Sequence, residues 1–149
     1  MPLQQNIDQD IKSAMLSKDS TRLRGLRAIK AALLVAKTEK GAQDVLTEEA
    51  ELKVLQKLAK QRKESADIYQ SQNRPDLYQI EQEELQVIEA YLPKQLDRDA
   101  ITTFIKTVIS QTGASGMKDM GKVMGIVSKD LAGKADGKTI SELVKELLA

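Results

Sequence analysis

Apolar residues recur along this chain at steps of three and four. Leu3, Ile7, Ile11 and Met15 fall at steps of four and predict one stripe of a first helix. The stretch "SKDS" interrupts it, with Asp19 or Ser20 as N-cap for a second helix. Leu23, Leu26, Ile29, Leu33 and Ala36 form the stripe of that second helix, ending near Gly41. "GAQDVLTEEA" reads as a loop closing on Thr47 as N-cap, with Glu48 and Glu49 in the first turn, where the helix dipole favours acids. A long helix is predicted from about Glu48 to Gln70, with Leu55, Leu58, Arg62 and Ala66 on one stripe beside Val54 and Ile68. "SQNRPD" breaks it, since Pro75 suits only a helix start or a turn. Leu77, Ile80, Glu84, Val87, Ile88 and Tyr91 predict a fourth helix up to Leu92, stopped by Pro93.

After "PKQLDRDA", where Asp97 or Asp99 can cap, Ile101, Phe104, Ile105, Val108 and Ile109 give an amphipathic helix ending at Gly113. "GASGMKD" is a loop with Ser115 as its cap. Met117, Met120, Val123, Met124 and Val127 form the next stripe, and Gly133 suits a C-terminal stop. Asp136 caps a last helix carrying Ile140, Leu143, Val144 and Leu147. The expected architecture is all-α: an N-terminal helical domain over 1–95, a hinge near Leu96, and a three-helix C-terminal domain over 96–149.

Composition agrees with this pattern. Aromatic residues make up only 3 %, there is no Trp, and Leu, Ala, Lys, Glu and Gln dominate, all helix formers. The chain has no Cys and no His, which excludes disulfides, thiolate chemistry, imidazole bases and most zinc sites. No catalytic set, metal site or cofactor is expected. The missing Cys and the N-terminal "MPLQQNIDQD", with no basic region and no apolar run, lead to the expectation of a cytoplasmic protein without a signal peptide. No stretch approaches the length of a membrane span, so no membrane partner is expected.

Net charge is +1, yet its distribution is uneven. Lys12 to Lys40 holds 8 basic and 2 acidic residues; Gly41 to Asp97 holds 7 basic and 12 acidic. Antiparallel helices pairing opposite charges would absorb this, and a basic surface with a functional partner is the alternative. Glu48/Glu49 and Glu83/Glu84 are adjacent on helices and point to different sides, so neither forms an acid–base dyad. Tyr69, Tyr78 and Tyr91 read as packing residues. Gly116 to Lys122 spells G-x-x-x-x-G-K, but Val123 replaces the required Ser or Thr and no strand precedes it, so it is not a phosphate-binding loop of the nucleotide-hydrolase kind. Lys134 and Lys138 flank a helix start, whose free N–H groups would add to a phosphate contact, and "GKADGK" is otherwise a plain turn. Gly121 or Gly125 would let another backbone approach closely.

"LPKQL" (Leu92 to Leu96), "TGAS" with "KDMGKVMG" (Thr112 to Ser115, Lys118 to Gly125) and "GKADGKTISELVKELL" (Gly133 to Leu148) closely resemble the YqeY-like family of small bacterial proteins. Ile7 to Lys40 and Leu58 to Gln70 resemble its opening and its middle helix. This family shares a domain with the C-terminal tail of the GatB subunit of tRNA-dependent amidotransferase. The resemblance implies two all-helical domains and a tail that contacts the outer corner of tRNA. The positions that match are Lys118, Gly121, Lys122, Gly125, Lys134, Ala135, Asp136, Gly137 and Lys138, and all of these but Ala135 are carried over as RNA-binding candidates. The amidotransferase tail commonly has Pro where this chain has Gly137. The expected function is a non-catalytic tRNA-binding or tRNA-associated accessory, its partners a tRNA and an aminoacyl-tRNA or amidotransferase component. The alternatives are an accessory of carbon–nitrogen ligation with glutamine as amido donor, acting only with partner subunits, and a helical protein-interaction module. Oligomeric state is not legible.

Overall fold

The computed structural model describes residues 2–39 and 45–149. Among these residues the chain is all-α, with seven helices and a single 3-10 turn. The helices are α1 (Leu3–Leu16), α2 (Ser20–Glu39), α3 (Glu48–Ser71), α4 (Pro75–Glu89), α5 (Arg98–Thr112), α6 (Met120–Asp130) and α7 (Gly137–Leu148), with the 3-10 turn at Met117–Asp119. The end expected near Gly41 and most of the loop after it lie outside the described residues. The chain divides into two compact units, Met1–Leu92 and Pro93–Ala149.

In the first unit the caps are local chemistry. The Asp19 carboxylate accepts from the Arg22 amide at 3.1 Å, and Thr47 Oγ1 accepts from the Ala50 amide at 3.1 Å. Each satisfies an amide that the helix itself leaves unpaired. Pro75 opens α4, where its missing N–H costs nothing. α2 is in contact with α1, α3 and α4, and α3 packs on α4. Ile7, Ala14, Leu26, Ile29, Leu33, Leu55 and Ile88 form the centre of the core. The stripe expected to include Met15 takes Ala14 instead, seven residues after Ile7, and Met15 is 55 % exposed. Seven residues are closer to two whole helical turns than eight, so Ala14 holds the face and Met15 drifts off it. α4 ends at Glu89 rather than Leu92: the Tyr91 and Leu92 amides reach back only three residues, to Ile88 and Glu89.

The charge pairing expected from composition is present. Arg24 of α2 reaches Glu83 at 2.8 Å and Glu84 at 3.2 Å, while Arg62 of α3 reaches Glu84 at 2.7 Å. Glu84 therefore ties three helices together. Gly25 has a reason that no stripe reveals. A Cβ there would lie 2.7 Å from Val87 Cβ, so α2 and α4 cross in contact at this residue.

Tyr91 is half-buried, and its hydroxyl donates to the Asp10 carboxylate, joining the chain after α4 to α1. Burial and this bond push its pKa up to about 12. A raised folded-state pKa means that the stability is present below the unfolded value near 10 and is lost as pH rises from there towards 12. Urea midpoints at pH 8 and pH 11 should therefore fall further in the parent chain than in Tyr91→Phe, which has no such proton to lose. An equal fall in both would contradict the role of this hydroxyl.

In the second unit Asp97 accepts from the Ala100 amide at 2.7 Å and caps α5, settling the choice between Asp97 and Asp99. Gly113 ends α5 at φ 67°. Ile101, Ile105, Val108, Val123, Val127, Ile140, Leu143 and Val144 close the core. Leu148, not Leu147, is the buried end of α7. Ser115 is not a helix cap. Gly116 turns the chain at φ 84°, and it is the Ser115 amide that donates, to Asp119 at 2.8 Å. Met117 therefore sits in the 3-10 turn, 48 % exposed, outside the stripe that begins at Met120.

Candidate nucleic-acid interface

The candidate residues all lie in the second unit, on the 3-10 turn, on α6 and at the start of α7. α6 buries Val123 and Val127 and half-buries Met120 and Met124. Its remaining face exposes Gly121, Lys122, Gly125 and Lys129. The spacing explains the division: positions 121, 122, 125 and 129 fall on one side of a helix whose other side carries 120, 123, 124 and 127. Lys118, in the turn just before, is also exposed, and that turn is in contact with both α6 and α7.

Lys134 stands on a loop whose backbone is held. Its carbonyl accepts from the Leu96 amide at 2.9 Å, and the Gly133 carbonyl accepts from Gln95 Nε2 at 2.7 Å. Gly133 itself has φ 78°, a conformation that glycine adopts without strain. Ala135 is buried and belongs to the core rather than to a surface. Asp136 is the N-cap of α7, accepting from the Lys138 amide and the Thr139 hydroxyl, each at 3.5 Å. The expected open anion seat at this helix start is thus occupied by the chain's own carboxylate. Lys134 and Lys138 are both exposed beside this helix start, and Asp136 serves as its cap.

The lysines are electrostatically uncommitted. Among the described residues the cations in ion pairs are Arg22, Arg24, Lys30, Lys53, Arg62, Lys63, Arg74 and Arg98. Lys118, Lys122, Lys129, Lys134 and Lys138 are not among them. The basic run of α3 is different: Lys53, Arg62 and Lys63 are paired with Glu49, Glu84 and Glu89, leaving Lys57 and Lys60.

The glycines carry a second signal. A Cβ at Gly121, Gly125 or Gly137 would meet nothing within 4 Å, and none of the three has positive φ. Among the described residues, packing does not account for them. Lys129 is absent from the sequence-based candidates; its spacing of seven from Lys122, two helical turns, is the signal that finds it.

No group of three or more metal-ligating side chains occurs among the described residues. Among them, no helix is long and apolar enough to cross a membrane.

Comparison with known proteins sets these features in a family. The chain is similar to the protein called "Altered inheritance of mitochondria protein 41, mitochondrial" in three organisms. In Meyerozyma guilliermondii the identity is 35 % over 148 residues, covering 95 % of this chain and 74 % of that protein. In Pyrenophora tritici-repentis it is 28 % over 145 residues, covering 95 % and 78 %. In Clavispora lusitaniae it is 31 % over 129 residues, covering 83 % and 72 %. These relatives are eukaryotic and are named as mitochondrial, which corrects the expectation of a bacterial, cytoplasmic protein. The bacterial expectation came from the family resemblance; the cytoplasmic one rested on missing cysteines and on the first ten residues, and neither of these fixes a compartment. The profile described as Yqey-like protein matches residues 4–148, so the chain belongs to the YqeY-like family.

Proposed function

We propose that this chain is a non-catalytic, tRNA-binding or tRNA-associated accessory protein whose contact surface is the exposed face of α6 together with Lys118, Lys134 and Lys138. The observation that carries the reading is Gly121 and Gly125 standing open among lysines that form no ion pair among the described residues. Each glycine inside a helix costs about 1 kcal/mol against alanine. Among the described residues nothing lies within 4 Å of a Cβ at either position, and the close approach of a sugar–phosphate backbone would offset that cost. Lysine supplies a point charge to each phosphate and asks for no particular base, so the surface selects shape and charge. Net charge of +1 fits a local contact rather than a general polyanion binder.

Titration of total tRNA at two salt concentrations tests this. Three to five phosphate contacts give a slope of roughly −2 to −4.5 in log affinity against log salt, so affinity falls by roughly 20- to 500-fold between about 50 and 200 mM salt. Absence of binding at the lower salt, or a slope near zero, would contradict the proposal.

A further inference from the structure

In the first unit, a cleft of about 500 Å³ opens between α2 and α3. Its walls are short side chains: Ala31, Ala32 and Ala36 of α2 and Ala50 of α3. Each places a methyl where a larger apolar group would close the seam. Val35, Leu46, Val54 and Leu58 complete the apolar lining among the described residues. α2 is apolar all round here, from Ala31 to Ala36, yet only Leu33 of that run is buried. Leu34 and Val35 are 51 % and 59 % exposed. A helix stretch apolar on every side is ordinarily covered.

The polar lining is specific in sign. Lys53 and Lys57, one turn apart on α3, both border the cleft, against a single acid, Glu39, among the described residues. Lys57 forms no ion pair among the described residues, and Lys53 holds only an exposed pair with Glu49 at 3.4 Å. Exposed pairs of that kind are worth little and yield readily to a new anion. The volume lies within the range of about 300–1,000 Å³ usual for small-molecule sites.

We infer that this cleft binds a free single-chain amphiphile, its aliphatic tail between the alanine walls of α2 and α3 and its carboxylate on Lys53 and Lys57. A bilayer is a poorer match, because the lining is recessed between two helices and its cationic rim is only two residues wide. The inference stands apart from the tRNA reading, which concerns the other unit.

Sodium dodecanoate, kept below its micelle concentration and titrated into the full chain, is the probe. Amide signals of Ala32, Ala36, Ala50 and Val54 are expected to shift and saturate. Dodecanol, which lacks the charge, should bind about tenfold more weakly, as should dodecanoate to the Lys53→Ala/Lys57→Ala variant, while dodecanol binds that variant as it binds the parent. Ala36→Leu should fill the cleft and abolish both, with thermal unfolding unchanged or raised. Phosphatidylglycerol vesicles should sediment without the protein. Equal affinity for acid and alcohol, non-saturating shifts spread to Met15 and Leu16, or capture by vesicles in place of the free acid would each overturn the inference. Should Ala36→Leu fail to fold, the lysine variant and the acid–alcohol comparison still decide it.

Discussion

Gly25→Ala is expected to destabilise the first unit by about 2 kcal/mol, although alanine is the better helix former by about 1 kcal/mol. The new Cβ would lie 2.7 Å from Val87 Cβ and 2.9 Å from both Val87 methyls. A Cβ cannot rotate away from its own backbone, so α2 and α4 must separate. That movement reaches the Arg24–Glu84 contact on the preceding residue of α2 and loosens Leu26 on the other side. A loss of this size lowers the unfolding temperature of a domain of this length by roughly 10 °C. Val87→Ala keeps its own Cβ and so should rescue little, whereas Val87→Gly removes the clash and should recover much of the loss relative to Val87→Gly alone. An unchanged melting temperature in Gly25→Ala would show that the two helices do not cross in contact there.

Ile105→Ala should cost about 3 kcal/mol or more and unfold the second unit. Ile105 is 0 % exposed and belongs to the core cluster that joins α5, α6 and α7. Removing a buried isoleucine down to its Cβ typically costs about 2–5 kcal/mol, through lost transfer energy and the cavity left behind. A unit this small has little surplus to absorb it. Amide exchange should show Val123, Val127 and Val144 losing protection while Leu26 and Ile88 keep theirs. Retained protection at Val144 would mean that the core closes over the cavity.

The division of the chain also has a test. Limited proteolysis is expected to cut between Pro93 and Asp99 and to release a C-terminal fragment of roughly 50 residues, since exposed linkers are where nicking concentrates. Cuts confined to the helices would count against a boundary there.

Much of the fold is legible in the sequence because its signals are local. Thr47, Asp97 and Asp136 read as caps from one residue type in front of a periodic run, and each makes that bond. The features that escape the sequence depend on distance or on a fine count. A step of four lies close to one helical turn, so Met15 reads as part of the core stripe, but the excess accumulates at each step and carries it off the face. The role of Gly25 depends on Val87, 62 residues on, and Tyr91 on Asp10, 81 residues back; neither pairing leaves a periodic trace. The glycines around "ASGMKD" hide a 3-10 turn inside a stretch that reads as a loop and a helix. The lysines of the candidate interface come from family resemblance, because spacing alone does not distinguish a phosphate contact from a solvated turn. Their absence from the ion pairs of the described residues, and the open space beside Gly121 and Gly125, are visible only in three dimensions.

The measurement that bears most directly on the proposed tRNA contact is the salt dependence of tRNA binding by a chain in which Lys122, Lys134 and Lys138 are all replaced by alanine. Each lost phosphate contact removes about 0.7 to 0.9 from the slope, so the variant should bind more weakly and its slope should flatten by about two to three units. Helicity should be retained, since alanine favours helix at least as well as lysine. The companion variant, Lys57→Ala/Lys60→Ala, should keep the parent slope. If the triple variant binds tRNA with parental affinity and slope, or the companion variant loses binding in its place, the surface on α6 and α7 is not where tRNA is held.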